Sequence, residues 1–251
     1  TFLSLTESKV KGSLEVANPN YKFSGNEVVT AVSVSSTDRA ETSGFKSKKT
    51  GFELGTIFEQ YENIFISPTI LVAFEDIVTD SGASAGIKKM DGSYFNTDIE
   101  YGISLDKRNQ AFRPTKGYKT RFIQSVPLVQ DKSSFTNGID VASYHEFSED
   151  VIGSLKFFAK AVVGIDDDVR LTERLYLPRN KLRGFNKNKT GPKDGNDYIG
   201  GNYTTSINAE AQLPNLLPEA YKTDFSLFFD TANIWGVDYE GNASETNELR
   251  S

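Results

Sequence analysis

Apolar and polar residues alternate along most of the chain. In the clearest run, residues 202–213, every second residue from Tyr203 to Leu213 is apolar or threonine, and the residues between them are all polar. A period of two residues is the pattern of a β-strand with one apolar face. Similar runs cover residues 98–108, 154–165 and 224–230, and weaker ones cover 10–16, 28–34, 52–58, 64–74, 118–128 and 139–147. The pattern predicts about eleven antiparallel strands and no helix of useful length.

Such strands belong either to a soluble sandwich or to a membrane barrel, whose apolar face meets lipid and whose polar face meets a hydrated lumen. Several runs reach about a dozen residues, whereas ordinary strands have five or six. Their polar faces carry both signs of charge, for example Glu100, Arg108 and Lys160. Connections are short at 149–150 and 214–220 but long at 80–95 and 166–198, as in outer-membrane barrels. These features favour an all-β, antiparallel transmembrane β-barrel.

Composition narrows the possible functions. The chain has 251 residues, a formal net charge of -6 and no cysteine. A negative chain is a poor general binder of nucleic acid, and the lack of cysteine excludes disulfides and thiolate chemistry. No run approaches the roughly twenty apolar residues of a spanning helix. The single histidine, His145, lacks the partners of a triad or a metal site, and the run 166–168 of three aspartates lacks the spacing of a calcium loop. We therefore expect no enzyme activity, no metal and no cofactor.

Four short motifs occur in order along the chain. The first joins Asp106 and Arg108 to the turn that contains Pro114 and Gly117. The second is Leu182-Arg183-Gly184-Phe185, the third combines Gly191-Pro192 with Gly200-Gly201-Asn202 and leads to Glu210, and the fourth surrounds Asp230 and Trp235. Taken alone, Arg183 reads as a solvated loop residue, and Asp106 with Arg108 reads as internal charge pairing beside a structural turn. Trp235, with Tyr239, suggests an interfacial aromatic belt.

In combination, these motifs resemble those of the BamA-type outer-membrane assembly factors, over nearly the whole chain. The resemblance implies one partial barrel domain, residues 1–251, with about eleven of about sixteen strands. We expect the upstream POTRA repeats, the closing strands and a targeting segment to lie outside this chain. It also implies that the loop at about 166–198 folds back into the lumen, where Arg183 pairs with Glu210 and Asp230 on the inner wall. A guanidinium suits this role because its planar donors can bind two carboxylates.

The chain departs from the family immediately before Leu182. The family usually carries a glycine pair there, whereas this chain reads Pro178-Arg179-Asn180-Lys181. The path of the backbone into the motif therefore does not follow from the resemblance.

The function that the resemblance implies is folding and insertion of β-barrel proteins into the bacterial outer membrane. The implied partners are outer-membrane lipid, unfolded β-barrel clients, accessory lipoproteins and periplasmic chaperones. An unpaired strand edge would template an incoming strand. A passive channel or a two-partner-type secretion pore remains an alternative, as does a soluble carbohydrate-binding sandwich.

Overall fold

A computed structural model of the protein describes residues 2–6, 9–165, 167–186, 189–217, 223–238 and 243–244. Eleven strands of the described residues form one sheet, and three short strands form a second. In chain order the strands are β1 (Phe2–Thr6), β2 (Lys9–Asn18), β3 (Glu27–Arg39), β4 (Phe45–Tyr61), β5 (Ile64–Thr79), β6 (Gly92–Asp106), β7 (Gly117–Gln130), β8 (Ser133–Ser148), β9 (Val151–Ile165), β10 (Lys193–Asp194), β11 (Asp197–Tyr198), β12 (Tyr203–Leu213), β13 (Phe225–Trp235) and β14 (Ala243–Ser244). Two four-residue helices, α1 (Ala40–Ser43) and α2 (Ala85–Lys88), and 3-10 turns at Tyr21–Phe23 and Arg179–Lys181 lie in the connections.

The large sheet is an antiparallel meander. Its order is β1-β2-β3-β4-β5-β6-β7-β8-β9-β12-β13, so each strand pairs with its neighbour in the chain except where β10 and β11 intervene. Within the described residues no ladder joins β1 to β13, and closure of the sheet is not seen. The second sheet, ordered β11-β10-β14, lies at the end of the molecule where β9 finishes and β12 begins. The predicted all-β antiparallel architecture and the predicted strand number are confirmed.

The two faces of the large sheet differ in chemistry. On the outer face, cross-strand neighbours are apolar and exposed, as in the row Leu54, Ile70 and Ile99. The opposite face is here called the inner face. There Thr69, the residue before Ile70, pairs with Glu100, the residue after Ile99. Since the outer side chains are exposed in a row rather than packed, the sheet has its apolar side where a barrel meets lipid.

Strand boundaries differ from the predicted ones at one end of the sheet. The strand predicted at 98–108 begins earlier, at Gly92, and the strand predicted at 224–230 continues to Trp235. In both extensions the inner face carries buried apolar or aromatic residues, namely Tyr94, Ala232 and Ile234, with the buried polar Asn96 among them. Connecting segments cover the inner face there, so the alternation of apolar and polar residues that predicts a strand is lost in these extensions.

The covering segments have a core of their own. It contains the inner-face residues Phe45, Ile77 and Tyr94 together with loop residues Ala83, Ile87, Met90, Leu171 and Ile199. We call this end of the molecule the cap end. A cap with its own apolar core gives the connections at this end a fixed structure.

Connection lengths follow the predicted asymmetry only in part. The long connections 80–91 and 166–202 both lie at the cap end, because strands alternate in direction, and the two-residue turn 149–150 lies at the other end. Yet the turn at 131–132 is short and lies at the cap end, and the ten-residue connection 107–116 lies opposite. The predicted division into an end with short turns and an end with long loops therefore holds for the connections named in the prediction but not for these two. Residues 218–220 of the predicted connection 214–220 lie outside the described residues.

Among the described residues, no helix has both the length and the apolar character needed to cross a membrane.

Candidate functional site: the inner loop

The connection between β9 and β12, residues 166–202, crosses the inner face of the sheet and is called the inner loop. The sequence pattern predicts no strand between residues 166 and 198, but the inner loop contains β10 and β11, each of two residues. Near its start, the Thr172 hydroxyl donates to Glu75 Oε2 at 2.8 Å on β5. The guanidinium of Arg39, the last residue of β3, lies 4.3 Å from the ring centre of Tyr176. The inner loop is therefore fastened to strands far from its own attachment points.

The side chain of Arg183 donates three hydrogen bonds from the inner loop to the wall. Its Nε and one terminal nitrogen donate to the two carboxylate oxygens of Asp230 at 2.7 and 2.8 Å. The other terminal nitrogen donates to Glu210 Oε2 at 3.0 Å. The structure thus brings together the three residues that the resemblance associated, with Glu210 on β12 and Asp230 on β13. One guanidinium joins two adjacent strands.

The surroundings of Arg183 strengthen these contacts. The side chain of Asp230 is 3% exposed and that of Glu210 is 14% exposed, so water competes little for their oxygens. The guanidinium carbon also lies 3.7 Å from the ring centre of Phe228, a cation–π contact. Hydrogen bonds to Asp230 and then to Glu210 raise the pKa of Arg183 above its usual value, so its charge is permanent.

The residues around Arg183 set the path of the backbone. Leu182 is buried against Leu177, Ala232 and Ile234. The Arg183 N–H donates to Asp230 at 3.1 Å, so main chain and side chain hold the same carboxylate. Gly184 follows with φ of 86°, a left-handed conformation that glycine adopts without strain. The chain therefore turns away directly after the anchored arginine, and Phe185 remains partly exposed.

The third motif packs the return of the inner loop against the sheet. A Cβ on Gly201 would lie 2.6 Å from the carbonyl oxygen of Trp235, and one on Gly191 would lie 2.9 Å from Ile234. Pro192 is buried, and its carbonyl accepts the N–H of Ile199 at 3.1 Å. Gly200 has φ of 69° and is also crowded. Gly200 and Gly201 permit a close approach of backbone to backbone, and Gly191 permits the Ile234 side chain to pack on the backbone.

Asn202 belongs to a polar network at the base of the inner loop that sequence reasoning missed. Asn202 Nδ2 donates to Asp238 at 2.9 Å, and the Val169 N–H donates to the same carboxylate at 3.0 Å. The buried guanidinium of Arg174 donates to Asp238 and, at 3.3 Å, to Asn202 Oδ1. Burial raises the pKa of Asp238, but the Val169 N–H and the charge of Arg174 outweigh it, and the pKa lies below its ordinary value. No periodic signal marks Arg174 or Asp238.

The segment that departs from the family pattern forms the 3-10 turn Arg179–Lys181. Pro178 precedes it, and its carbonyl accepts the Lys181 N–H at 2.9 Å. Arg179 and Asn180 are exposed, whereas Lys181 is buried. The backbone thus reaches Leu182 through a compact turn instead of a glycine pair.

The first motif forms a separate polar cluster at the end of β6. Arg108 donates twice to Asp106, at 2.8 and 2.7 Å, and Lys119 lies 3.3 Å from the same carboxylate. A Cβ on Gly117 would lie 2.0 Å from the carbonyl oxygen of Lys107, and its φ is 93°. Pro114 lies in the ten-residue connection between β6 and β7. The structure brings Asp106 and Arg108 together, apart from Arg183.

The remaining candidate residues form no reactive constellation. His145 is exposed and its ring meets that of Phe147 edge-on, with centres 4.7 Å apart. The part of the chain that the structure describes contains no group of three or more histidines, cysteines, aspartates or glutamates suited to a metal, although Asp166 lies outside it. Trp235 stacks on Tyr203, with ring centres 5.8 Å apart, and Tyr239 lies outside the described residues.

The geometry of the inner loop suits a mechanical role. Arg183 pairs with carboxylates of β12 and β13, and Thr172 bonds to a carboxylate of β5, so these contacts hold the loop in one position against the wall. Beside it, a cavity of 830 Å³ is lined by charged residues of both signs, including Lys49, Glu100 and Arg121. A braced loop beside a hydrated interior is what the polar face of a transmembrane barrel provides.

Comparison with known proteins agrees with this architecture. This chain is 27% identical over 176 residues to the outer membrane protein assembly factor BamA of Neorickettsia risticii. The match covers 66% of this chain and 23% of the relative. The human sorting and assembly machinery component 50 homolog is 24% identical over 186 residues, which cover 66% of this chain and 38% of the relative. The chain thus spans well under half the length of these relatives.

The fold matches a crystal structure of BamA from Haemophilus ducreyi that lacks POTRA domains 1–3. The TM-score is 0.82 at 16% identity, over 91% of this chain and 50% of that one. The Omp85 superfamily domain matches residues 3–251. The chain, with its outward apolar sheet and its inner loop anchored through Arg183, belongs to the Omp85 superfamily.

Proposed function

We propose that this chain is part of the barrel wall of an insertase that folds β-barrel proteins and inserts them into the bacterial outer membrane. Membership of the Omp85 superfamily supports this, as do relatives whose names describe outer-membrane protein assembly and a sorting and assembly machinery. The observation that carries the proposal is the docking of Arg183 on Asp230 and Glu210. It fixes a long loop inside the wall without any reactive group.

The partners of this function are lipid at the outer face, unfolded barrel proteins as clients, and accessory lipoproteins and periplasmic chaperones that deliver them. Lipid contact is supported by the exposed apolar rows of the outer face. No enzymatic step, nucleotide or metal is part of the proposal, because insertion is driven by burial of the client's own apolar strands in lipid.

The proposal predicts the effect of removing the guanidinium of Arg183. In Arg183→Ala two largely buried carboxylates lose their shared partner. We expect a destabilisation of about 3 kcal/mol, at the low end for a broken buried pair because 30% of the Arg183 side chain is exposed. Insertion of a urea-unfolded client by the full-length protein in liposomes should fall strongly. Arg183→Lys should restore it only in part, since lysine cannot form the planar double contact.

A matched control is available in Arg113→Ala. Arg113 also pairs with an aspartate, Asp224, but its side chain is 62% exposed. Surface pairs of this kind contribute about 0–1 kcal/mol, so insertion by this variant should equal that of the wild type. Equal insertion by the wild type and Arg183→Ala would contradict the proposal. Conductance across a planar bilayer with no client insertion would favour a channel or secretion pore instead.

A further inference from the structure

Lys181 is a buried cation that neither the family motif nor the proposed function uses. Only 11% of its side chain is exposed, although lysine is almost never buried without a partner. The 3-10 turn Arg179–Lys181 directs Lys181 toward the sheet while Arg179 and Asn180 face solvent. The turn therefore places the side chain of Lys181, and not that of Arg179, against the sheet.

The contacts of Lys181 reach three strands. Its Nζ donates to Asp140 Oδ2 on β8 at 2.5 Å and lies 4.7 Å from the ring centre of Phe158 on β9. Its carbonyl oxygen accepts a hydrogen bond from Asn208 Nδ2 on β12 at 2.9 Å. A compact ammonium suits this position, because it fits between one carboxylate and one aromatic face.

The side chains of Lys181 and Arg183 bind different parts of the wall. The carboxylates of Arg183 belong to β12 and β13, whereas the carboxylate and ring that hold Lys181 belong to β8 and β9. Between the two cations, Leu182 packs on Ala232 and Ile234 of β13. Residues 181–183 thus bind four strands that are neighbours in the sheet. A single anchor leaves a loop free to pivot about it, and a second anchor on other strands removes that freedom.

We propose that Lys181 is a second positioning residue of the inner loop, which pins the Arg183 motif to β8 and β9 through Asp140 and Phe158. The two anchors together make the inner loop a cross-brace over β8, β9, β12 and β13. The effect on client insertion rests on the proposed function, but the effect on the position of the loop does not.

Hydrogen–deuterium exchange of residues 177–186 in the full-length protein tests the position of the loop. The variants are Lys181→Met, which keeps the length of the side chain without its charge, and Asp140→Asn, which keeps the shape of the carboxylate. Each should speed exchange of these amides by about tenfold, as expected from loss of a charge-assisted hydrogen bond. Lys116→Met is the control, since Lys116 pairs with Glu146 but is 64% exposed. Exchange at residues 80–91 should not change in any variant.

A double-mutant cycle separates an anchor from a general loss of stability. If Lys181 acts through Asp140, the double variant Lys181→Met/Asp140→Asn should exchange no faster than either single variant. Lys181→Arg, which keeps the charge but not the compact shape of the ammonium, should restore the protection only in part. Lys181→Met combined with Arg183→Ala should be faster than either alone, because the anchors hold different strands.

The proposal is overturned if Asp140→Asn exchanges within twofold of the wild type, or if the double variant is additive. Should Lys181→Met fail to fold, Asp140→Asn still decides the question, since it removes the charge of the partner and leaves Lys181 in place. If exchange responds as expected but the wild type inserts no client, the second anchor stands and the proposed insertase function fails.

Discussion

At the scale of single residues, the inner loop depends on glycines for two different physical reasons. Gly184 has φ of 86° but open space around its Cα, whereas Gly201 has an ordinary φ but no room for a Cβ beside Trp235. Conformational strain and steric overlap have different costs. They can therefore be told apart by the same substitution at the two positions.

We expect Gly184→Ala to lower the free energy of unfolding by about 1 kcal/mol, the cost of a left-handed alanine. Gly201→Ala should cost more, about 2–3 kcal/mol, because backbone must shift to admit the methyl group. Gly12→Ala, with open space and no left-handed φ, is the neutral control. Thermal unfolding of the three purified variants checks the order. A larger loss for Gly184→Ala than for Gly201→Ala would refute this interpretation.

At the scale of elements, the base of the inner loop depends on one carboxylate, Asp238. Because its pKa is lower when the protein is folded, its contribution is complete above the ordinary aspartate pKa, and it disappears as pH falls through the lower folded value. Asp238→Asn should remove about 2 kcal/mol at neutral pH, a typical value for hydrogen bonds to a charged group.

The pH dependence of melting temperature tests this assignment. The gap between wild type and Asp238→Asn should be constant from about pH 8 to pH 5 and should shrink below about pH 4. Thr79→Val, which removes a hydroxyl bonded to the exposed part of Asp91, is a control whose gap should remain small throughout. A gap that grows as pH falls would contradict the role of Asp238.

Sequence predicted elements well where one face of a strand meets water and the other meets lipid. It failed where the inner loop covers the sheet, since Tyr94 and Ile234 are apolar on the inner face and erase the alternation. The partners of Arg183 could be predicted from the family resemblance, because Glu210 and Asp230 both lie on the polar faces of their strands. Arg174 and Asp238 could not, since neither lies in a periodic segment and their contact depends on how the loop returns to the sheet.

At the scale of the whole molecule, a charged side chain should be destabilising on the outer face of the sheet and tolerated on the inner face. Thr69 and Ile70 are adjacent on β5, but Ile70 is exposed on the outer face and Thr69 lies opposite Glu100 on the inner face. A lysine at position 70 would therefore meet lipid, and a lysine at position 69 would meet the hydrated interior.

Ile70→Lys should cost about 2–4 kcal/mol, as for lysine near the middle of a barrel wall, and Thr69→Lys should cost close to nothing. The heat-modifiable mobility of the full-length protein in outer-membrane fractions measures the folded fraction of each variant. Equal folding of both variants would mean that the outer face is not in lipid.

The fastening of the inner loop also sets an order of events during folding. The loop leaves β9, but the acids that hold Arg183 lie 27 and 47 residues further along the chain. Such distant pairings form late, because the intervening chain must first be ordered. Docking of the inner loop is therefore a completion step: it can occur only after β12 and β13 have joined the sheet, and it makes their addition hard to reverse.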